Sequence, residues 1–443
     1  MKEENYRALS LTLGESPEPL VFTIRKYKPE AVMLICTPAS RRFVNEVAAP
    51  CGLSPSDIEI VEVDDSAEKA SAQLVDRFYN AYRRIADRLN LGAGEFAADP
   101  TGGRKWMSAA LTLAASHLNL DMLYVDVKYG PDRKPDMDTM RVVPLGNAYR
   151  QSGLFLFDRA RKMFNEYDFK ESGELFENLH NEAAHSHTHD LFHCLATASA
   201  ELEKWDLFDY RKLKPEKLRG AAREAERSAA SSAAGRNEVE NLAECFRRMA
   251  DVAETLKNTG DKNTPHPAGL FDLIENAGRR LKRGRYDDAV ARLYRATEYV
   301  SQLALKKYDF DTKKPGWDKF DRAVVDEFEK INNGVLPGKI SLESGFKLLN
   351  AAGDPVGQKF MSGGKDGRGF LFKGNTTSRN DSLLAHGFQP CTEKMVTGYR
   401  DELVKAIGEC LDRLAPEYAG DGVERILERF RFPLIQDIFR PAP

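Results

Sequence analysis

Asp99-Pro100-Thr101-Gly102-Gly103-Arg104-Lys105-Trp106-Met107 reads as a turn between a strand and a helix. Ahead of it, Glu95-Phe96-Ala97-Ala98 can end a short buried strand. Behind it, Trp106, Met107, Ala110, Leu111, Ala114 and Leu118 recur at helical spacing. Gly102 and Gly103 allow the backbone to approach a ligand closely. Open N–H groups at the helix start favour an anion, and Arg104 or Lys105 adds positive charge. That combination suits a phosphate of a nucleotide. A tight turn capped by Thr101 would use the same glycine pair, so the surrounding pattern has to decide.

Upstream, Tyr6 to Leu13 predicts a first strand ending at Gly14, then a helix from near Pro17 through Leu20, Phe22, Ile24 and Tyr27. Ala31-Val32-Met33-Leu34-Ile35-Cys36 is a continuous apolar run, as expected for a strand covered on both faces. Arg42 to Ala49 predicts a second helix, Ile58 to Val63 a third strand and Ala67 to Leu89 a long amphipathic helix. Beyond the glycine turn and its helix, Met122 to Val127 and Thr139 to Leu145 predict two more strands. Strands alternating with helices imply an α/β fold, a doubly wound, mostly parallel sheet. Such sheets bind ligands at the carboxyl ends of their strands. Three segments should meet there: Thr12-Leu13-Gly14-Glu15, Thr37-Pro38-Ala39-Ser40 and Thr101 to Lys105. No Gly-x-Gly-x-x-Gly follows the first strand and no Gly-x-x-x-x-Gly-Lys-Ser/Thr occurs, so neither a dinucleotide dehydrogenase nor a P-loop ATPase is supported.

The nine-residue string resembles the signature Asp-x-Thr-Gly-Gly-x-Lys-x-Met of CARF domains, the ring-nucleotide sensors of type III CRISPR defence. The resemblance implies a Rossmann-like CARF sensor over residues 1–150 that holds cyclic oligoadenylate. It makes Gly14, Thr37, Ser40, Thr101, Gly102, Gly103, Arg104 and Lys105 the candidate ligand contacts. Thr and Ser hydroxyls can donate to phosphate or ribose oxygens; helix capping explains Thr37 and Ser40 equally well. A ring activator has rotational symmetry, so a homodimer could grip it with the same loops of both subunits.

With 443 residues and 42% hydrophobic content, the chain can bury about two to three domain cores. Its 65 Lys+Arg against 68 Asp+Glu leave a net charge of -3, so a nucleic-acid site must be a local patch. No apolar run approaches the roughly 18 residues of a membrane span. The start, Met-Lys-Glu-Glu-Asn-Tyr, shows no signal-peptide pattern. Cys36, Cys51, Cys194, Cys245, Cys391 and Cys410 are scattered, as reduced thiols of a cytoplasmic protein would be.

Strand signals stop after residue 150, and residues 151–268 predict an all-α connector. Phe157 to Leu179 fits a helical hairpin turning near Tyr167-Asp168, and a related pattern recurs around Gly284, like single tetratricopeptide-type hairpins. Leu191 to Trp205 and Arg219 to Ala253 predict further helices, and Asn258 to Pro267 a linker. His180, His185, His187, His189 and His193 lie close together, but no cysteine or carboxylate completes an evident metal set, so no metal is expected.

Residues 269–443 predict a third, all-α domain. Leu270 to Leu281 and Tyr286 to Tyr308 are strong helices, with Arg295 and Glu298 spaced to pair. Gly353 to Gly374 reads as a basic loop suited to an RNA backbone or to a plain surface hairpin. Then comes Ser378-Arg379-Asn380-Asp381-Ser382-Leu383-Leu384-Ala385-His386-Gly387, whose Arg379 and His386 project from one face of a helix. This resembles the Arg-polar-(four to six)-His motif of HEPN ribonucleases, and type III CRISPR accessory ribonucleases place it downstream of a CARF sheet.

The resemblance implies a metal-independent, cyclic-oligoadenylate-activated endoribonuclease, with no cofactor, cutting single-stranded RNA. RNA carries its own nucleophile, the 2′-hydroxyl. An unperturbed imidazole titrates at about 6.5, which suits His386 to serve as acid or base. Arg379 suits bidentate phosphate contact, and Asn380 could orient either partner. Two subunits combining their pairs would again make a homodimer. The competing expectations are a sensor with a catalytically silent C-terminal domain acting through protein partners, and a CARF-linked DNA nuclease. The second would need an Asp…Glu-x-Lys core on strands, where the C-terminal third predicts helices.

Overall fold

Residues 5–64, 67–92, 94–129, 135–147, 153–182, 189–231, 235–262, 264–361 and 390–436 are described by the computed structural model. The chain divides into two units, Met1–Leu156 with Glu182–His185, and Phe157–Asn181 with Ser186–Pro443.

In the first unit β1 (Ala8–Thr12), β2 (Ala31–Cys36), β3 (Ile58–Glu62), β4 (Phe96–Asp99), β5 (Asp121–Tyr129) and β6 (Pro135–Gly146) form one sheet. Their order is β3-β2-β1-β4-β5-β6, parallel except for β6, which runs antiparallel on β5. The apolar run of β2 is buried throughout because it serves two cores. Ala31, Met33 and Ile35 pack with Leu74 and Phe78 of α3 (Ala67–Leu89) and Leu111 of α4 (Lys105–His117). Val32, Leu34 and Cys36 face Leu20 and Ile24 of α1 (Glu18–Tyr27) and Val47 of α2 (Val44–Cys51). Opposite faces at period two, each covered by helices, make the expected doubly wound α/β sheet. The segment before α2 is a 3₁₀ turn, Arg41–Phe43, where the periodicity predicted helix from Arg42.

The strand order has one consequence for function. From β1 the chain steps outward to β2 and β3, then returns to place β4 on the other side of β1. Connections leave β1 and β4 in opposite directions, which opens a crevice at their carboxyl ends.

Among its described residues the second unit contains helices and no strand. α5 (Leu154–Asn165) and α6 (Phe169–Glu182) form the predicted hairpin, turning through Tyr167 at φ +62°. α7 (His189–Asp206) follows, then α8 (Pro215–Ser231) and α9 (Arg236–Lys262), two helices where one long helical region was predicted. α10 (Pro267–Lys282) and α11 (Tyr286–Lys306) turn at Gly284, and α12 (Arg322–Ile331), α13 (Leu342–Ala351), α14 (Pro355–Met361), α15 (Glu393–Glu409), α16 (Leu411–Leu414) and α17 (Val423–Phe430) follow among the described residues.

Two loop expectations are corrected. Residues 258–262 stay helical at the end of α9 despite Gly260. A Cβ at Gly260 would lie 3.1 Å from the Tyr210 Cβ, so this glycine permits close packing rather than a break. Arg211 also donates to its carbonyl at 3.0 Å. Pro267 then opens α10, where a missing N–H costs nothing, and the His266 ring accepts from the Ala268 N–H. Within 353–374, residues 355–361 form α14. Gly353 at φ +69° ends the preceding helix, and the Asp354 carboxylate accepts from the Val356 N–H at 2.9 Å to start the next. Residues 362–374 lie outside the described set.

The chain's last described stretch returns to the unit's first hairpin. The Asn165 side chain donates to the Ile435 carbonyl at 3.0 Å and accepts from its N–H at 2.8 Å. Phe432 packs against Phe169 and Trp205.

Candidate functional site

The crevice between β1 and β4 is closed at its floor by an interlocked turn. Asp99, the last residue of β4, is buried and accepts from the Thr101 N–H at 2.9 Å, the Thr101 hydroxyl and the Thr23 hydroxyl at 2.7 Å. Burial raises the Asp99 carboxyl above its ordinary value, and these donors oppose that shift. The Thr101 hydroxyl in turn accepts from the Val125 N–H of β5 at 2.8 Å. Thr12, at the end of β1, donates to the Gly102 carbonyl at 2.6 Å. One carboxylate and two hydroxyls thus tie three neighbouring strands to one turn.

Both glycines of the turn, and Gly14 opposite, are required by space. A Cβ on Gly14 would sit 2.9 Å from the Gly103 nitrogen, and one on Gly102 would collide with the Thr12 carbonyl oxygen. Gly103 has φ +77° and rests on the Met107 side chain, 3.3 Å from where its Cβ would be. Gly102→Ala is therefore expected to lose about 1–3 kcal/mol by overpacking. A lowered urea midpoint for the first unit's transition would register it; an unchanged midpoint would contradict the close approach.

The crevice is lined as an anion site requires. α4 starts at Lys105 after Arg104, and no side chain caps it, so its first N–H groups open toward the crevice mouth. Gly103, Arg104 and Lys105 are exposed there. Thr37 and Ser40 follow β2, next to β1, but they are buried and bonded to each other: the Thr37 N–H donates to the Ser40 hydroxyl at 3.0 Å. The structure thus brings Gly14, Gly102, Gly103, Arg104 and Lys105 to one mouth, while the hydroxyls of Thr37, Ser40 and Thr101 have internal partners. Thr23 escaped sequence reasoning, and Thr12 and Asp99, quoted there within their segments, were not singled out as the side chains that brace the turn. The available signal was Asp99 two residues before Thr101, the spacing of an Asx turn.

In the second unit the Arg379-Asn380-His386 set lies outside the described residues. The predicted Arg295–Glu298 pair forms at 3.2 Å, and Arg295 also donates to the Gln302 side chain at 2.9 Å. The His180 and His193 rings lie 5.0 Å apart, tilted by 41°, with His193 Nδ1 2.8 Å from Glu224; His185 and His187 lie outside the described residues. No group of three metal-ligating side chains occurs among the described residues. A buried charge network was not anticipated: Asp206 receives Arg279 and Arg280, and Asp272 receives Trp205, Tyr210 and Arg279.

Comparison with known proteins places this architecture. A family model described as the Csm6 HEPN domain matches residues 258–408. The CRISPR system endoribonuclease Csm6 of Thermus thermophilus is 22% identical over 409 residues, spanning 87% of this chain and 82% of that protein. Csm6 of Enterococcus italicus, solved with cyclic hexa-2′-fluoro-hexa-dAMP, shares the fold with a TM-score of 0.54 at 11% identity, covering 96% of this chain and 99% of that one. A sheet unit with its open crevice, followed by helices of which residues 258–408 match the Csm6 HEPN model, makes this chain similar to the CARF–HEPN effectors of type III CRISPR systems.

Proposed function

We propose that this chain is an endoribonuclease of type III CRISPR antiviral defence that cuts single-stranded RNA when a cyclic oligoadenylate fills its sheet crevice. One pairing carries the reading: an uncapped, glycine-lined helix start at the β1/β4 switch point stands in the same chain as a Csm6 HEPN match. Residues 1–150 serve as sensor, 151–268 as connector and 269–443 as ribonuclease. Gly14, Gly102 and Gly103 leave room for the ring's backbone; Arg104, Lys105 and the α4 N–H groups hold its phosphates, and Thr37, Ser40 and Thr101 shape the loops around them. The protein works in the cytoplasm as a homodimer, whose twofold axis matches the symmetry of the ring.

Cleavage needs no metal in this reading. His386 accepts the proton of the 2′-hydroxyl as its oxygen attacks the adjacent phosphorus. The 5′-oxygen leaves and takes a proton from the second imidazole of the dimer, giving a 2′,3′-cyclic phosphate and a 5′-hydroxyl. Arg379 offsets the charge that builds on the phosphorane, and Asn380 orients the imidazole. Activation requires the ring to prefer the active arrangement; shifting a 1:99 population to 99:1 takes about 10⁴-fold preference.

The direct test is cleavage of a fluorescent single-stranded RNA in EDTA, with and without cyclic tri-, tetra- or hexa-adenylate. Cleavage that depends on one ring and ends in 2′,3′-cyclic phosphate is expected. Activity lost to EDTA would overturn the metal-free mechanism, and no cleavage with any ring would overturn the ribonuclease reading. Lys105→Ala should shift the activation curve about tenfold to a hundredfold toward higher ring concentration, the worth of one charge-assisted phosphate contact. A curve unmoved by that change would remove Lys105 from the ring site.

A further inference from the structure

We propose that a cleft of about 590 Å³ in the second unit, between the end of α9, the later half of α11 and the segment after it, is a docking subsite for one nucleotide of single-stranded RNA. The inference rests on the ribonuclease reading and adds to it a binding place argued from described residues.

The cleft has the size of a small-ligand site, within the usual range of roughly 300–1,000 Å³. Its lining combines the three chemistries that a splayed nucleotide needs. Lys306 and Lys313 supply cations for phosphate. The Lys306 ammonium donates to the Pro265 carbonyl at 2.9 Å, which leaves it further protons to donate, and Lys313 is exposed with no acidic partner among the described residues. Tyr299 and Arg295 supply flat faces: the guanidinium lies 5.3 Å from the ring centroid and is held there by Glu298 and Gln302. A base stacks on either surface without sequence preference. Acceptors for an exocyclic amine or a 2′-hydroxyl come from Asp311 and from the Gln302 amide.

The segment is built to hold this shape. The Lys313 N–H donates to the Asp311 carboxylate at 2.8 Å, an Asx turn that fixes the two residues together. The other acidic group of the cleft, Asp309, is neutralised by Lys319 at 2.6 Å. The remaining balance favours an anion. A concave site of this size admits an unstacked base and excludes a duplex, which agrees with recognition of unpaired RNA.

The test measures binding, not cleavage. His386→Ala protein is titrated into a short fluorescein-labelled single-stranded RNA by anisotropy at several salt concentrations, alone and with Lys313→Gln or Lys306→Gln/Lys313→Gln added. Each lost phosphate contact should lower the slope of log affinity against log salt by about 0.7, so the double variant should lose about 1.4. Affinity should fall about fivefold to twentyfold, with ultraviolet crosslinks to RNA on the peptide that carries Tyr299. Lys313 is exposed, so the single variant keeps the test valid if the double variant unfolds. Binding with an unchanged salt slope in the single variant overturns this subsite alone. Absence of RNA binding by the His386→Ala protein itself overturns it together with the ribonuclease reading.

Discussion

His386→Ala is expected to lower ring-activated RNA cleavage by about 10²–10⁴-fold, the usual contribution of a positioned acid or base. The 2′-hydroxyl is a poor nucleophile until its proton is removed, and the 5′-oxygen a poor leaving group until it gains one. No other imidazole of the chain falls within the HEPN motif, and the motif's remaining members cannot exchange protons near neutrality: Arg379 stays protonated and Asn380 does not titrate. The measurement is the single-turnover rate with ring at saturation, beside ring affinity in the same variant. Ring affinity should be unchanged, because the sensor residues sit in the other unit. A variant within threefold of the parent rate would remove His386 from the mechanism. Arg379→Lys supplies a second arm: a point charge cannot reproduce the bidentate contact of a guanidinium, so the rate should fall there too.

Asp206→Ala is expected to destabilise the second unit by about 3–5 kcal/mol, the cost of breaking a buried ion pair from one side. Asp206 ends α7 and is buried with its partners. It accepts from Arg279 at 2.8 Å and from Arg280, while the Asn276 amide donates to its carboxylate at 3.1 Å and its carbonyl at 2.9 Å. Asp272 then bonds Arg279 at 3.2 Å and Trp205 at 2.8 Å, and Phe432 covers the Arg279 guanidinium at 3.9 Å. Burial opposes the charge on Arg279, and Asp272 and Asp206 more than offset it, so its pKa is raised. Without Asp206, Arg279 would keep only Asp272, and the buried Arg280 would lose the one carboxylate it pairs with among the described residues. The melting temperature should fall on the order of 10 °C. Asp206→Asn, which keeps the volume and loses the charge, should recover little of it. A loss under about 1 kcal/mol would mean that water or a rearrangement satisfies both arginines.

Residues three, four and seven apart on α10 bring Asp272, Asn276, Arg279 and Arg280 to one face, a pattern visible in the sequence. What they meet is not visible, because Asp206 lies 73 positions before Arg279. The same division runs through the whole molecule. The continuous apolar run of β2, the helical spacing in α4 and that from Phe157 to Leu179 are local, and they sufficed for a doubly wound sheet, for the Asp99–Met107 turn and for the Tyr167 hairpin. The CARF and HEPN resemblances rested on strings just as local, and the family match over residues 258–408 agrees with the second.

Breakers misled where their effect depends on a neighbour. Gly260 sits in a helix because Tyr210 packs against it, and Gly353 ends one helix only to let Asp354 start another. At the sensor, sequence alone determined which residue types flank the turn. Only tertiary structure decided that β4 returns beside β1, that Gly14 meets Gly103, and that the Thr37, Ser40 and Thr101 hydroxyls point into the loops they brace. Strand order and side-chain partners are settled by packing between segments tens of residues apart. Such contacts leave no period in the chain, whereas a turn and the helix it starts are written in consecutive residues.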